Sequence, residues 1–186
     1  RARCAEGLAV AESAGDSQTI AHLLTGLSLS YRELGQFEDA QLYGRRSQAI
    51  YQELGDRYGE IQAALTLGEL SRQLGECEEA RRFCGLAVQV SQEIGHHSGE
   101  ADGYYRLGQI AAGQGERDEA LRQFRHALRL AHEIQENPIV LDALLEIGCV
   151  LVELNNHAPA LEILAFLLDH PQTTAQHRAR TCAALA

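Results

Sequence analysis

The side chains best equipped for chemistry are eight histidines, five cysteines and a surplus of carboxylates. His96 and His97 with Glu100 supply imidazole and carboxylate donors that could form one corner of a metal site. Zinc, however, wants about four ligands at ordered spacing, and the two histidines fall in a junction with no second cluster elsewhere in the chain. Glu78-Glu79 could be drawn as an acid/base pair, but the pair opens a helical stretch, where the dipole favours negative charge. Serine and cysteine are scattered over helical faces. No strand is present to build the strained turn on which a hydrolytic nucleophile sits. The cysteines are odd in number and lack paired ligand spacing. Cys4 and Cys84 share a repeat phase with Gly44, Phe124 and Leu164, which reads as a small buried apolar position in a reducing cytoplasm. The sequence thus predicts no catalytic set, no metal and no cofactor.

The elements that must carry these residues come from a repeat. Leu67-Gly68-Glu69-Leu70-Ser71-Arg72-Gln73-Leu74-Gly75-Glu76-Cys77-Glu78-Glu79-Ala80 recurs at a spacing of about 40 residues, a period typical of repeat architectures. Leu27, Leu67, Leu107 and Ile147 share one phase, and Ser28, Gly68, Gly108 and Gly148 the next. Gly35, Gly75, Gly115 and Asn155 share a third, and Ala40, Ala80, Ala120 and Ala160 a fourth. Gly15, Gly55 and Gly95 punctuate the chain half a period away. Apolar residues such as Ile20, Leu23, Leu24, Leu27 and Tyr31 recur at steps of three and four, the mark of one buried helical face. Gly68 and Gly108 would let backbones approach closely, although glycine costs about 1 kcal/mol against alanine inside a helix.

In chain order the expectation is a second helix of a truncated repeat at 1–14, helix pairs at 16–54, 56–94, 96–135 and 137–170, and a last helix at 173–186 with no partner in the chain. Asp16 or Ser17 caps the first full pair, and Asn137 caps the fourth, with Pro138 at the first helical position. Asn155 takes the turn glycine's place, Pro171 stops a helix, and Thr173 or Thr174 caps the last one. The chain starts inside a repeat and lacks an initiator Met, as expected of a fragment of something longer. The fold class is all-α, a right-handed solenoid of antiparallel helix pairs, about ten helices in all, each pair burying its apolar side against the next.

Net charge is -10 with no block of basic residues, which argues against direct nucleic-acid contact, since phosphate neutralisation supplies most of that affinity. The most apolar stretch, 139–154, carries Asp142, Glu146 and Glu153 and is shorter than the roughly 20 residues a bilayer needs. No signal peptide is visible, so the expected location is cytoplasmic, away from membranes.

The phase pattern resembles the tetratricopeptide repeat. Leu67, Gly68, Gly75, Ala80, Cys84 and Ala87 occupy its spaced positions, as do Tyr104, Leu107, Gly108, Gly115, Ala120, Phe124 and Ala127. The aromatic expected after the turn survives only as Phe37 and becomes Cys77, Arg117 and His157, and the closing proline is absent. The repeat is also longer than the family's usual 34 residues, by about one turn in each helix. Elongated repeats with junctions like Leu54-Gly55-Asp56 resemble the sensor solenoids of bacterial signal-transduction ATPases and transcription activators, the Partner-of-Inscuteable type of polarity adaptor, and kinesin light chains. The first group is favoured, because the first helices of pairs one to three lack the asparagine ladder with which the adaptors clamp peptides.

The resemblance implies that first helices line a concave groove and read ligands from fixed phases. Those phases hold His22, Thr25, Leu29 and Arg32 in pair one, and Gln62, Leu65, Thr66, Glu69 and Arg72 in pair two. Pair three supplies Asp102, Tyr105, Arg106, Gln109 and Ala112, and pair four Asp142, Leu145, Glu146, Cys149 and Val152. Arg32, Arg72 and Arg106 would form a sparse positive line beside Tyr105, able to meet a carboxylate or phosphate. Leu145, Cys149 and Val152 would form an apolar shelf. Alternatively the arginines pair with Glu33, Glu69 or Asp102 on neighbouring turns. The functional expectation is a protein- or peptide-binding scaffold within a larger bacterial signalling or transcription regulator. The alternatives are a self-association or autoinhibitory arm of a multidomain protein, with the last helix as a possible homo-oligomer contact, or a polarity or transport adaptor of the Partner-of-Inscuteable or kinesin-light-chain type.

Overall fold

The computed structural model describes residues 2–185, with side chains from residue 7 onward; the Cys4 side chain lies outside the described residues. Among the described residues there are ten α-helices and no strand. They are α1 (Ala2–Ala14), α2 (Ser17–Glu33), α3 (Phe37–Leu54), α4 (Arg57–Gln73), α5 (Cys77–Ile94), α6 (His97–Gly113), α7 (Arg117–Glu133), α8 (Asn137–Glu153), α9 (His157–Asp169) and α10 (Ala175–Leu185). The chain divides into two compact units, the first ending at Gly99 and the second starting at Glu100.

What ends each of α1 to α8 is one turn, used eight times. Gly15, Gly35, Gly55, Gly75, Gly95 and Gly115 take positive φ, and so do Gln135 and Asn155, both at 58°. The residue after each reaches back to a carbonyl five positions earlier, as in Gln36 N to Tyr31 O at 3.0 Å and Glu136 N to Ala131 O at 2.8 Å. This 6→1 bond satisfies an otherwise orphaned carbonyl. The two glycine punctuations of the sequence are therefore the same motif, and helix plus turn repeats about every 20 residues. Asn155 does what the sequence predicted. Gln135 holds the corresponding position without asparagine's or glycine's ease in that conformation.

Because the turn is so short, the residue after the left-handed one becomes the next N-cap. Asp16 and Asp56 use it well, accepting from Thr19 N at 3.1 Å and Gly59 N at 2.9 Å. The same register places Glu136 at the cap of α8, so Asn137 is a helical residue and not the cap the sequence predicted. Thr174 Oγ1 accepts from His177 N at 3.2 Å at the start of α10.

In the first unit, α1 packs on α2, α2 on α3, α3 on α4 and α4 on α5, with α2 also meeting α4. Leu24, Leu27, Tyr51, Leu67, Leu70 and Phe83 are fully or almost fully buried there. In the second, α7 packs on α8, α8 on α9, and α10 on both α8 and α9. Phe124, Ile110, Leu145, Leu164 and Leu167 form its interior. The last helix, expected to lack a partner, thus has two.

Within a pair, side-chain size is traded between two phases sixteen residues apart. A Cβ added at Gly68 would lie 2.5 Å from Cys84 Sγ, at Gly108 2.5 Å from Phe124 Cδ1, and at Gly148 2.7 Å from Leu164 Cδ2. Pair one inverts the trade: Ser28 stands on the first helix and Gly44 faces it from the second. Ser28 Oγ uses the space to donate to Ala40 O at 2.8 Å. The three glycines are therefore present for packing, since close-packed interiors leave no slack for the extra methyl.

Candidate binding faces

On the first unit, α2 and α4 carry the nine residues in the phases expected to read a ligand. His22 is exposed, but its Nδ1 lies 3.0 Å from the hydroxyl of the buried Tyr51. Tyr51 is in turn near Thr25 Oγ1 at 3.4 Å, which donates to Ser47 Oγ at 3.2 Å. Burial, first of all, pushes the Tyr51 phenol up, so it stays protonated. His22 thus satisfies a buried hydroxyl and presents only its outer edge. Gln62 is exposed, and Thr66 donates back to Gln62 O at 2.9 Å. Glu69 accepts a forked pair from Arg72 at 2.8 and 3.0 Å and a third bond from Gln73 at 2.7 Å. Thr25 and Leu65, in predicted phases, are buried.

On the second unit, Asp102 and Arg106 form an i,i+4 ion pair at 2.9 Å. Gln109 Nε2 donates to Tyr105 Oη at 3.0 Å, and Tyr105 Oη reaches towards Glu146 Oε1 at 3.5 Å. Glu146 also takes Arg180 of α10 at 3.0 Å, and Asp142 takes His177 Nε2 at 2.7 Å. Burial, then the charges of Glu146 and Asp142, push the Tyr105 phenol far above its ordinary range. The bond to Glu146 raises Arg180 further. Burial and Glu146 together push the half-buried Cys149 thiol up, away from the thiolate that nucleophilic chemistry needs. Cys149, Val152, Glu153, Arg180, Ala183 and Ala184 line a pocket of about 380 Å³.

Two expectations are corrected here. Arg72 and Arg106 do not form a positive line: each is matched by the carboxylate one turn before it, Glu69 or Asp102. Of the three arginines only Arg32 has no side-chain hydrogen bond or ion pair among the described residues. The apolar shelf loses Leu145, which is 0% exposed and packs with Leu141, Leu164 and Leu167. Cys149 and Val152 remain partly exposed. Conversely, His177 and Arg180 were not foreseen. Their one available signal is spacing: a basic pair three apart on α10 answers an acidic pair four apart on α8.

The other candidate groups make ordinary local contacts. His96 Nδ1 accepts from Gly99 N at 3.3 Å, and its ring meets Tyr58 edge-on at 5.1 Å. Glu79 accepts from Arg45 at 2.9 Å and Arg82 at 3.0 Å. Among the described residues no group of three or more His, Cys, Asp or Glu is placed to hold a metal ion, and no helix is long and apolar enough to cross a membrane.

No curated protein matches this chain by sequence. Among solved structures it is similar to BtubC (BKLC) from P. vanneervenii, at 17% identity and a TM-score of 0.72, over 91% of this chain and 66% of that one. The apo form of RapI superposes with a TM-score of 0.80 at 16% identity, over 89% of this chain and 47% of that one. The Rap conjugation gene regulator of the plasmid pLS20, solved in complex with the Phr* peptide, gives 0.70 at 17% identity, over 91% and 52%. The chain therefore spans about half to two thirds of these structures, and identities this low speak to the fold alone. The sequence profile of the tetratricopeptide repeat matches residues 60–133 and 104–165, more than half of the chain. With helix pairs, turn chemistry and size trading all repeating in that family's phases, the chain belongs to the tetratricopeptide repeat family.

Proposed function

We propose that this chain is a non-enzymatic, peptide- or protein-binding segment of a larger cytoplasmic bacterial regulator of signalling or transcription, with the first-helix faces as its contact surface. The observation that carries the reading is the second unit's polar chain, Gln109 to Tyr105 to Glu146 to Arg180, beside the pocket of about 380 Å³. These groups are held in place before any ligand arrives, so binding immobilises few of them and loses little entropy. Because Arg106 and Arg180 are internally matched, the ligand of this face is a mixed peptide that hydrogen-bonds to this chain and seats an apolar residue against Cys149 and Val152, and it is not a strongly acidic one. The peptide complex of the pLS20 regulator, a protein of similar fold, supports the same mode. Selection of a random peptide library on the immobilised chain, followed by amide-shift mapping of the enriched peptide, tests this. Shifts centred on Tyr105, Gln109, Cys149 and Arg180 are expected. An absence of enriched peptides, or shifts confined to the opposite helices, would count against it.

A second reading is favoured by one feature: α10 lies on Asp142 and Glu146, which the family's phases assign to the ligand. On this reading α10 is an intramolecular cover or a self-association arm. Truncation before Thr173 then raises peptide affinity, or abolishes any oligomer, where the first reading expects the pocket and its affinity to be lost.

A further inference from the structure

A second cavity, of about 450 Å³, lies where the turn into α8 meets α10, and neither Tyr105 nor Gln109 lines it. Glu136, Pro138, Leu141, Thr174 and His177 are among the residues that line it. Two of its polar atoms are buried without a hydrogen-bond partner, Glu136 Oε2 and His177 Nδ1. Glu136 is the N-cap of α8, yet it makes no side-chain cap bond, and Pro138 in the first turn has no N–H to offer. His177 Nε2 faces the Asp142 carboxylate at 2.7 Å, so Asp142 selects the tautomer whose hydrogen is on Nε2, and in that tautomer Nδ1 is an acceptor. Both orphans are thus acceptors, one of them charged, and a buried carboxylate oxygen without a donor is costly. Pro138 and Leu141 supply apolar wall beside them.

We propose that this cavity binds a basic side chain of another polypeptide, an arginine guanidinium or a lysine ammonium on its aliphatic stem. A cation carries donors for both orphan acceptors and neutralises Glu136, while its methylene stem covers Pro138 and Leu141. An anion would meet Glu136 head on. Water would satisfy the hydrogen bonds but leave the charge and the apolar wall unanswered. The net charge of -10 draws cationic partners to the chain at large. This site shares no lining residue with the pocket of about 380 Å³, and its test needs no selected peptide.

The test is a titration of the whole chain, followed by amide shifts, with Nα-acetyl-arginine amide, Nα-acetyl-lysine amide, the uncharged Nα-acetyl-norleucine amide and the acidic Nα-acetyl-glutamate amide. Saturable shifts at residues 135–141 and 172–177 are expected with the two basic probes only. Glu136→Gln, which removes a charge that bonds to nothing in the fold, should leave the helical circular-dichroism signal and melting curve in place. It should weaken basic-probe binding about tenfold to a hundredfold. The proposal is overturned if norleucine amide binds as well as the basic probes, if the acidic probe binds better, if no probe shifts these amides, or if Glu136→Gln binds unchanged.

Discussion

Gly68→Ala isolates the packing argument at one atom. The new Cβ would stand 2.5 Å from Cys84 Sγ, roughly 1 Å inside an ordinary carbon–sulfur contact. Cys84 is wholly buried, so its sulfur has nowhere open to move. Alanine returns about 1 kcal/mol of helix propensity, while forcing a methyl into a filled interior costs about 1–3 kcal/mol. The net expectation is a loss of about 1 kcal/mol where propensity alone predicts an equal gain. Cys84→Ala alone should lose about 1 kcal/mol, the value of roughly one buried methylene-sized group. In the double variant the overlap disappears and the propensity gain survives, leaving stability close to that of the parent. The coupling between the two changes should therefore be about 1–3 kcal/mol, well beyond the scatter of independent sites. Urea denaturation followed by circular dichroism on the four proteins of the cycle gives it directly. If Gly68→Ala stabilises the chain and the two effects simply add, the repeated glycine is not there for close approach, and the size-trading account fails.

Three other outcomes follow from particular groups. Gln135 holds φ at 58° in a turn where its counterparts are mostly glycine, so Gln135→Gly should stabilise the chain by about 1 kcal/mol; an unchanged or lower urea midpoint would contradict this. Cys149 is half-buried with its thiol pushed up, whereas Cys182 is exposed. Iodoacetamide followed by peptide mass mapping should therefore label Cys182 well before Cys149, and equal rates would refute the placement of α10. Arg45 and Arg82 hold the Glu79 carboxyl below its ordinary range. A depressed folded-state pKa stabilises above the unfolded value and is lost as pH falls through the folded one. Wild type should accordingly lose urea resistance on acidification below the usual carboxylate range more steeply than Glu79→Gln; parallel curves would show that the ion pair contributes nothing.

How much of this was legible in the sequence depends on how local the cause is. Helix ends were readable because glycine and asparagine reach positive φ by their own chemistry, and nearly every end falls where Gly15 through Gly115 and Asn155 place it. Gln135 was opaque for the opposite reason: its conformation is imposed by the register of α7 and α8, not by its side chain. The same register moved the α8 cap from Asn137 to Glu136. The glycines at 68, 108 and 148 announced a packing role, but their reciprocity with Cys84, Phe124 and Leu164 required coordinates, because sixteen residues separate the partners. For the candidate faces, phase alone picked out Tyr105, Gln109 and Glu146, which the fold joins in one hydrogen-bonded run. It could not see that Leu145 is sealed among Leu141, Leu164 and Leu167, or that α10 brings Arg180 and His177 to the same side. Short-range charge pairing was visible as a possibility at Arg72 and Arg106, and it is what the side chains do.

The most direct measurement is a fluorescence-anisotropy titration of a library-selected peptide against the parent chain, Gln109→Ala and Val152→Glu. Gln109→Ala removes a donor to Tyr105, and Val152→Glu places a charge in the pocket of about 380 Å³. Both changes fall on partly exposed positions. If the first-helix face of the second unit is the contact surface, both variants keep their helical signal. Affinity falls about threefold or more for Gln109→Ala and tenfold or more for Val152→Glu. Parent-like affinity in both would contradict the account.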